Sequence, residues 1–165
     1  MEKQTFIDLI KKHFGFLMEN YGFSIVYSDG PAESFGDLDV ILQSDKCKIR
    51  IMTDRKQVFL DIGLKTATLK SSKDWYDLGF VTSFLTQGPN QVNLEYSDKW
   101  IVDEKTTYEQ EMIRLNKILE PYWGQILELF KEENIKKRQK ELDDFIQKRA
   151  EERFPNLFKN APPKN

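Results

Sequence analysis

Apolar and polar side chains alternate along residues 38–64. Leu38, Val40 and Leu42 interleave with Asp39, Ile41 and Gln43, and Ile49 and Ile51 with Lys48, Arg50 and Met52. Val58, Leu60, Ile62 and Leu64 interleave with Phe59, Asp61 and Gly63. A period of two is that of a strand with one buried face. Ser44-Asp45-Lys46 and Asp54-Arg55-Lys56 supply polar turns between the runs. The stretch predicts a three-stranded antiparallel meander.

Helical spacing brackets it. Phe6, Leu9, Ile10, Phe14, Leu17 and Met18 recur every three or four residues, which predicts a helix over 5–20 with Thr5 as N-cap. Gly22 then takes the left-handed stop. Phe23–Tyr27 predicts a further strand, joined to the meander by the loop Ser28–Gly36. Beyond Leu64, Ser72 caps a helix expected over 73–86, with Trp75, Leu78, Val81 and Leu85 on one side and Tyr76, Phe80 and Phe84 beside them. Gln87–Asn90 ends it, and Gln91–Tyr96 reads as a short extra strand. Tyr108, Met112, Leu115, Leu119, Tyr122, Ile126 and Leu129 keep helical steps, with Thr106 and Glu109 as a capping box. Pro121 removes a donor inside this series, so two helices are expected, about 105–120 and 121–132.

From Glu132 to Arg153 the chain is crowded with charge, and Ile135, Leu142, Phe145 and Ile146 make only a narrow stripe. Opposite charges at helical spacing support a solvated helix. It is read as lying along the domain or reaching a second copy in a homodimer. Lys136-Lys137-Arg138 and Lys140 form a basic cluster, but Glu132, Glu133, Glu141, Asp143 and Asp144 surround it. The fold class is therefore α+β: an N-terminal helix, a four-stranded mainly antiparallel sheet (meander), then C-terminal helices packed on one face. The expected organisation is an α+β domain over 1–131, a charged helix over 132–154 and a tail over 155–165.

Composition narrows this picture. A chain of 165 residues with 39% hydrophobic residues, including 12 Phe, 6 Tyr and 3 Trp, fits one domain with a bulky core. A net charge of −2 argues against a nucleic-acid partner, whose footprint is a basic excess. Cys47 is the one cysteine, so no internal disulfide forms and a reducing compartment is expected. The N-terminus has no long apolar region and no apolar run approaches the ~20 residues that span a bilayer, so a cytoplasmic protein without a membrane partner is expected.

Candidate chemistry concentrates on the polar face of the meander. Asp39, Ile41, Arg50, Met52, Phe59 and Asp61 mix charges with sizeable apolar side chains, the composition of a protein-binding surface. Asp29, Glu33 and Asp37 make the preceding loop acidic, but the spacing is not that of a calcium-binding EF-hand. His13 is the only histidine, and no phosphate-gripping loop, paired-cysteine motif or Ser/His/Asp set is present. The reading is a non-catalytic binder of another protein, with no cofactor or metal assigned.

Two resemblances bear on this. The order of a helix ending in Tyr21-Gly22-Phe23, a strand, an irregular loop, the meander with Val58-Phe59-Leu60-Asp61-Ile62-Gly63 and then aromatic-rich helices resembles small bacterial cytosolic proteins, some of toxin-immunity type. That likeness covers about residues 5–130 and implies a stoichiometric binder without chemistry of its own. The acidic loop would then steer a basic partner. Separately, Gly36-Asp37-Leu38-Asp39-Val40 with Asp61 is similar to the carboxylates of minimal nucleotidyltransferases. This implies Asp37, Asp39 and Asp61 holding two magnesium ions against a triphosphate. The Gly-Ser element that grips phosphate in that family is absent, and Lys48 and Arg50 offer Asp39 and Asp61 ion-pair partners instead.

Overall fold

In a computed structural model, which describes residues 1–29, 38–54, 57–86, 107–153 and Pro155, the alternating stretch forms the centre of an antiparallel sheet. Its strands are β1 (Ser24–Asp29), β2 (Asp39–Gln43), β3 (Cys47–Asp54), β4 (Gln57–Leu64) and β5 (Trp75–Asp77), side by side in chain order. The helices are α1 (Lys3–Tyr21), α2 (Leu78–Thr86), α3 (Tyr108–Leu119), α4 (Trp123–Leu129) and α5 (Glu132–Arg153). The α+β class and the order of elements are as the sequence predicts.

Residues expected on the apolar side of the meander are buried together. Val40, Leu42, Ile49, Ile51, Val58, Leu60 and Ile62 join Phe6, Ile10, Phe14 and Leu17 of α1 and Met112, Leu115 and Leu119 of α3 in one core. Each such side chain removed from water stabilises the fold by about 1.5–3 kcal/mol before entropy is counted. Cys47 is part of this core, and burial pushes its thiol up to about 12, so it packs as a small apolar residue. Ser44 shapes the β2–β3 turn: its hydroxyl accepts from the backbone N–H groups of Lys46 and Cys47 at 3.2 and 3.3 Å.

Several boundaries differ from expectation. The sheet has five strands instead of four, because Trp75–Asp77 pairs with Asp61–Gly63 where helix was expected. Gly63 makes this pairing possible. The Trp75 ring lies over it, and a Cβ there would come within 2.5 Å of the ring. The indole Nε1 also donates to the Thr68 carbonyl at 2.9 Å. Helix α2 consequently starts at Leu78. Its first N–H groups, from Gly79 and Phe80, donate to Asp77 Oδ1 at 2.8 and 3.3 Å, so Asp77 is the cap expected of Ser72.

At the start of α1, Thr5 lies within the helix. Glu2 occupies the cap position without a side-chain hydrogen bond, and burial of Phe6 and Ile10 holds the first turns. Gly22 does end the helix with φ 68°, and Phe23 N–H donates back to the Leu17 carbonyl at 3.2 Å. The capping box is Thr107 with Gln110 in place of Thr106 with Glu109: Gln110 N–H donates to Thr107 Oγ1 at 3.2 Å and Thr107 N–H to Gln110 Oε1 at 2.8 Å. Glu109 instead turns to α1, accepting from Lys12 at 2.6 Å and lying 3.0 Å from His13 Nε2. Pro121 breaks the next helix as expected, in a short tight turn over Glu120–Tyr122 between α3 and α4.

Helix α5 folds back on its own domain. Ile135 and Leu142 are buried, Phe145 stacks edge-on against Phe84 of α2 at 5.6 Å, and Gln139 donates to the Tyr76 hydroxyl at 3.0 Å. Arg138 lies over the Phe84 ring, 4.7 Å from its centre. The narrow stripe is thereby used inside this chain. No helix among the described residues is long and apolar enough to cross a membrane. The strand expected over Gln91–Tyr96, the helix stop at Gln87–Asn90 and the tail beyond Pro155 lie outside the described residues.

Candidate functional site: the polar face of the sheet

Among the described residues the helices lie on the apolar side of the sheet. The opposite side is organised in cross-strand rows. One row runs across all five strands: Tyr27, Ile41, Arg50, Asp61 and Asp77 stand opposite one another in turn. A second row is Asp29, Asp39, Met52 and Phe59, and a third is Gln43, Lys48, Gly63 and Trp75. Five of the six expected binding residues are half-buried on this face, namely Asp39, Arg50, Met52, Phe59 and Asp61. The sixth, Ile41, is only 6% exposed and forms the floor between Tyr27 and Arg50.

The charges on this face are unevenly matched. Arg50 leaves its row to bind Asp39 with both edges of its fork: Nε donates to both carboxylate oxygens at 3.0 Å, and Nη2 to Oδ2 at 2.6 Å. This is the bidentate geometry that makes arginine pairs specific as well as strong. Lys48 is turned to the sheet's end, where its ammonium donates to the Ala67 carbonyl at 2.6 Å. Asp61 accepts no hydrogen bond from any described residue. Burial, with the neighbouring Asp77 carboxylate adding to it, pushes its carboxyl up to about 6. Arg50 draws it down and Asp39 adds a smaller rise.

Of the expected acidic loop residues, Asp29 ends β1 on this face, and its carboxylate accepts from the Tyr27 hydroxyl at 3.2 Å. Glu33 and Asp37 lie outside the described residues. Asp39 and Asp61 do share a face, as a metal-binding arrangement requires. Both oxygens of Asp39 also accept from Arg50. Among the described residues no group of three or more His, Cys, Asp or Glu side chains is placed to hold a metal. Asp37, the remaining carboxylate of the expected trio, lies outside the described residues, and no step is derived through a metal.

Sequence reasoning missed Asp77, Trp75 and Tyr27 as members of this face. Trp75 and Asp77 fell in a segment read as helix. The available signal was the alternation Trp75-Tyr76-Asp77 together with Gly63, a residue that gains from an aromatic neighbour across the strand. Comparison with protein-family models, curated proteins and solved structures gives no match.

Proposed function

We propose that this protein is a non-catalytic protein-binding module of the bacterial cytoplasm, immunity-like in that it acts by occupying a partner's surface. The observation that carries the reading is the two-sided sheet. Among the described residues helices bury one side, and the other carries half-buried Met52 and Phe59 among ionic groups, the mixture that favours interfaces. The buried thiol of a single cysteine suits a reducing compartment. Among the described residues of this face the carboxylates Asp29, Asp39, Asp61 and Asp77 outnumber the cations Lys48 and Arg50, which favours a basic partner. A homodimer through α5 has less support, since its apolar stripe already packs on α2 and the core.

The test compares capture from the native cell extract by three forms of the full chain. Wild type and a helix-side variant, Lys140→Glu, should retain the same partner in equal molar ratio, and Met52→Glu should lose it. A partner retained equally by all three overturns the reading. A magnesium–nucleotide titration followed by melting temperature is the companion measurement. A large stabilisation that Asp39→Asn abolishes would replace this reading with the nucleotidyltransferase one.

A further inference from the structure

We infer that the loop over residues 65–73, between β4 and β5, docks on an anionic lipid surface, with Leu69 entering the headgroup layer and Lys65, Lys70 and Lys73 meeting the negative charge around it. The inference stands apart from the binding reading above, since none of these residues belongs to the sheet face considered there. The loop carries three positive charges and no negative one within nine residues, in a chain whose net charge is −2. All three lysines are exposed, and no ion pair among the described residues uses them. Leu69 is 40% exposed beside them. Hydrogen bonds fix the shape of the loop. Ala67 is buried, and its carbonyl accepts from the Lys48 ammonium at 2.6 Å. Thr68 N–H donates to Ser71 Oγ at 2.8 Å, and Ser71 N–H donates back to the Thr68 carbonyl at 3.1 Å. The Trp75 indole donates to the same carbonyl at 2.9 Å. Leu69 and Lys70 are thus the two central residues of a closed four-residue turn. Little further ordering is left to oppose docking.

The chemistry of the loop favours lipid over other anionic partners. Base stacking in a nucleic acid needs an aromatic ring, and residues 65–73 contain none. The carboxylates of a protein are best matched by the arginine fork, and lysine is depleted from protein interfaces, yet every cation here is lysine. A lipid surface presents a diffuse field of phosphates, which suits an ammonium on a flexible stem, and an apolar layer beneath them for Leu69. Of the neighbouring carboxylates, Asp74 is half-buried, and Glu132, which also feels the charge of Lys65, bonds Lys136. Such a loop lies on a membrane and needs no spanning helix.

The experiment is sedimentation of the full chain with vesicles of phosphatidylglycerol or of phosphatidylcholine. Wild type is compared with Leu69→Ser and with a loop variant carrying Lys65→Gln, Lys70→Gln and Lys73→Gln. A control variant carries Lys11→Gln, Lys137→Gln and Lys140→Gln, exposed lysines outside the loop, and so has the same net charge. Circular dichroism melts confirm that each variant is folded. Wild type and the control should bind phosphatidylglycerol vesicles, more weakly as salt rises, and leave phosphatidylcholine vesicles in suspension. The loop variant should bind about a hundredfold more weakly, since each lysine near an anionic surface contributes about fivefold. Leu69→Ser should lose roughly tenfold, the size of one partly buried aliphatic side chain. Failure of wild type to bind phosphatidylglycerol vesicles, equal losses in the loop variant and the control, or a Leu69→Ser variant that binds as wild type does would each overturn the inference. So would retention of polyglutamate or of an oligonucleotide, abolished in the loop variant, by a wild type that ignores the vesicles: the loop would then belong to an acidic protein or a nucleic acid.

Discussion

Arg50 stands directly opposite Asp61 in the β3–β4 register, yet its guanidinium bonds Asp39 on β2, diagonally across the sheet. Asp39 is thereby held by a two-edged ion pair, while Asp61 stands opposite another carboxylate, Asp77. The two halves of this arrangement act on stability in opposite senses.

Asp61 should make the protein less stable as pH rises. Its carboxyl titrates near 6 in the folded chain and near 3.8 in the ordinary state, so folding holds the proton. The stabilisation linked to that proton is complete below about pH 4 and is lost as pH rises through about 6. The rise corresponds to roughly 3 kcal/mol at most. Asp61→Asn, which keeps the shape and removes the charge, is expected to melt with wild type near pH 4. It should melt several degrees higher than wild type near pH 7. Thermal melts across that range check it; a difference independent of pH would show that Asp61 is not the titrating group.

Arg50 should be costly to lose. Arg50→Ala leaves Asp39, a side chain only 22% exposed, without its two-edged partner, and removes a cation that draws Asp61 down. A loss of about 2–3 kcal/mol is expected. Arg50→Lys keeps the charge but not the fork, and should cost about 1 kcal/mol. Asp39→Asn with Arg50→Gln should recover part of the loss of the single Arg50→Ala change. Urea denaturation of wild type and the three variants measures the set, and equal stability of Arg50→Ala and wild type would contradict the geometry.

How much of this was legible follows from what each feature depends on. The apolar face of β2–β4 was legible because alternation is local: Val40, Ile51 and Leu60 declare their side whatever lies elsewhere. That Asp39 and Asp61 share a face followed from the same count. Which of them Arg50 binds did not, since one is directly opposite and the other diagonal, both within an arginine's reach. Strand β5 was hidden because three residues are too few to show a period, and its pairing depends on Gly63, twelve positions before Trp75. The cap of α3 was ambiguous because Thr106 and Thr107 are each followed three residues later by a partner of the right type. The tertiary contact of Glu109 with Lys12 and His13 decides between them.

That ambiguity gives a sharp comparison. Thr107→Ala removes the hydroxyl that accepts from Gln110 N–H and should cost about 1 kcal/mol. Gln110→Ala should cost somewhat less, since only the return bond to Thr107 N–H is lost. Glu109→Gln leaves the box intact and acts only on the exposed contact with α1. The losses in melting temperature should shrink in that order, and a Glu109→Gln loss exceeding that of Thr107→Ala would place the cap one residue earlier.

Gly63 should resist even the smallest side chain. A methyl group there would meet ring carbons of Trp75 at 2.5 and 2.6 Å, so the ring must move. Moving it breaks the indole bond to Thr68 and loosens β5 from β4. Gly63→Ala should cost about 1–3 kcal/mol, the range for overfilled sites. Trp75→Ala should cost as well, through lost ring burial. The double variant should be more stable than the sum of the two losses predicts, because the clash disappears with the ring. Chemical denaturation of the cycle decides it; strict additivity would mean that the ring does not rest on Gly63.

Leu142 tests whether α5 belongs to the core. Its sequence reads as a solvated helix, with Glu141, Asp143 and Asp144 around it, yet Leu142 itself is fully buried. It shares this stripe with Ile135 and with Phe145, which meets Phe84. Leu142→Ala should therefore cost about 2–5 kcal/mol, as truncations in packed interiors do. Lys140→Glu, two residues away on the exposed side, should cost less than about 0.5 kcal/mol. Both are read from urea denaturation with the slope fitted freely. A loss of under 0.5 kcal/mol for Leu142→Ala would mean that α5 is detached from the domain in solution. Its stripe would then be available to a second copy, and a solution mass of two chains is the result that would revive the dimer.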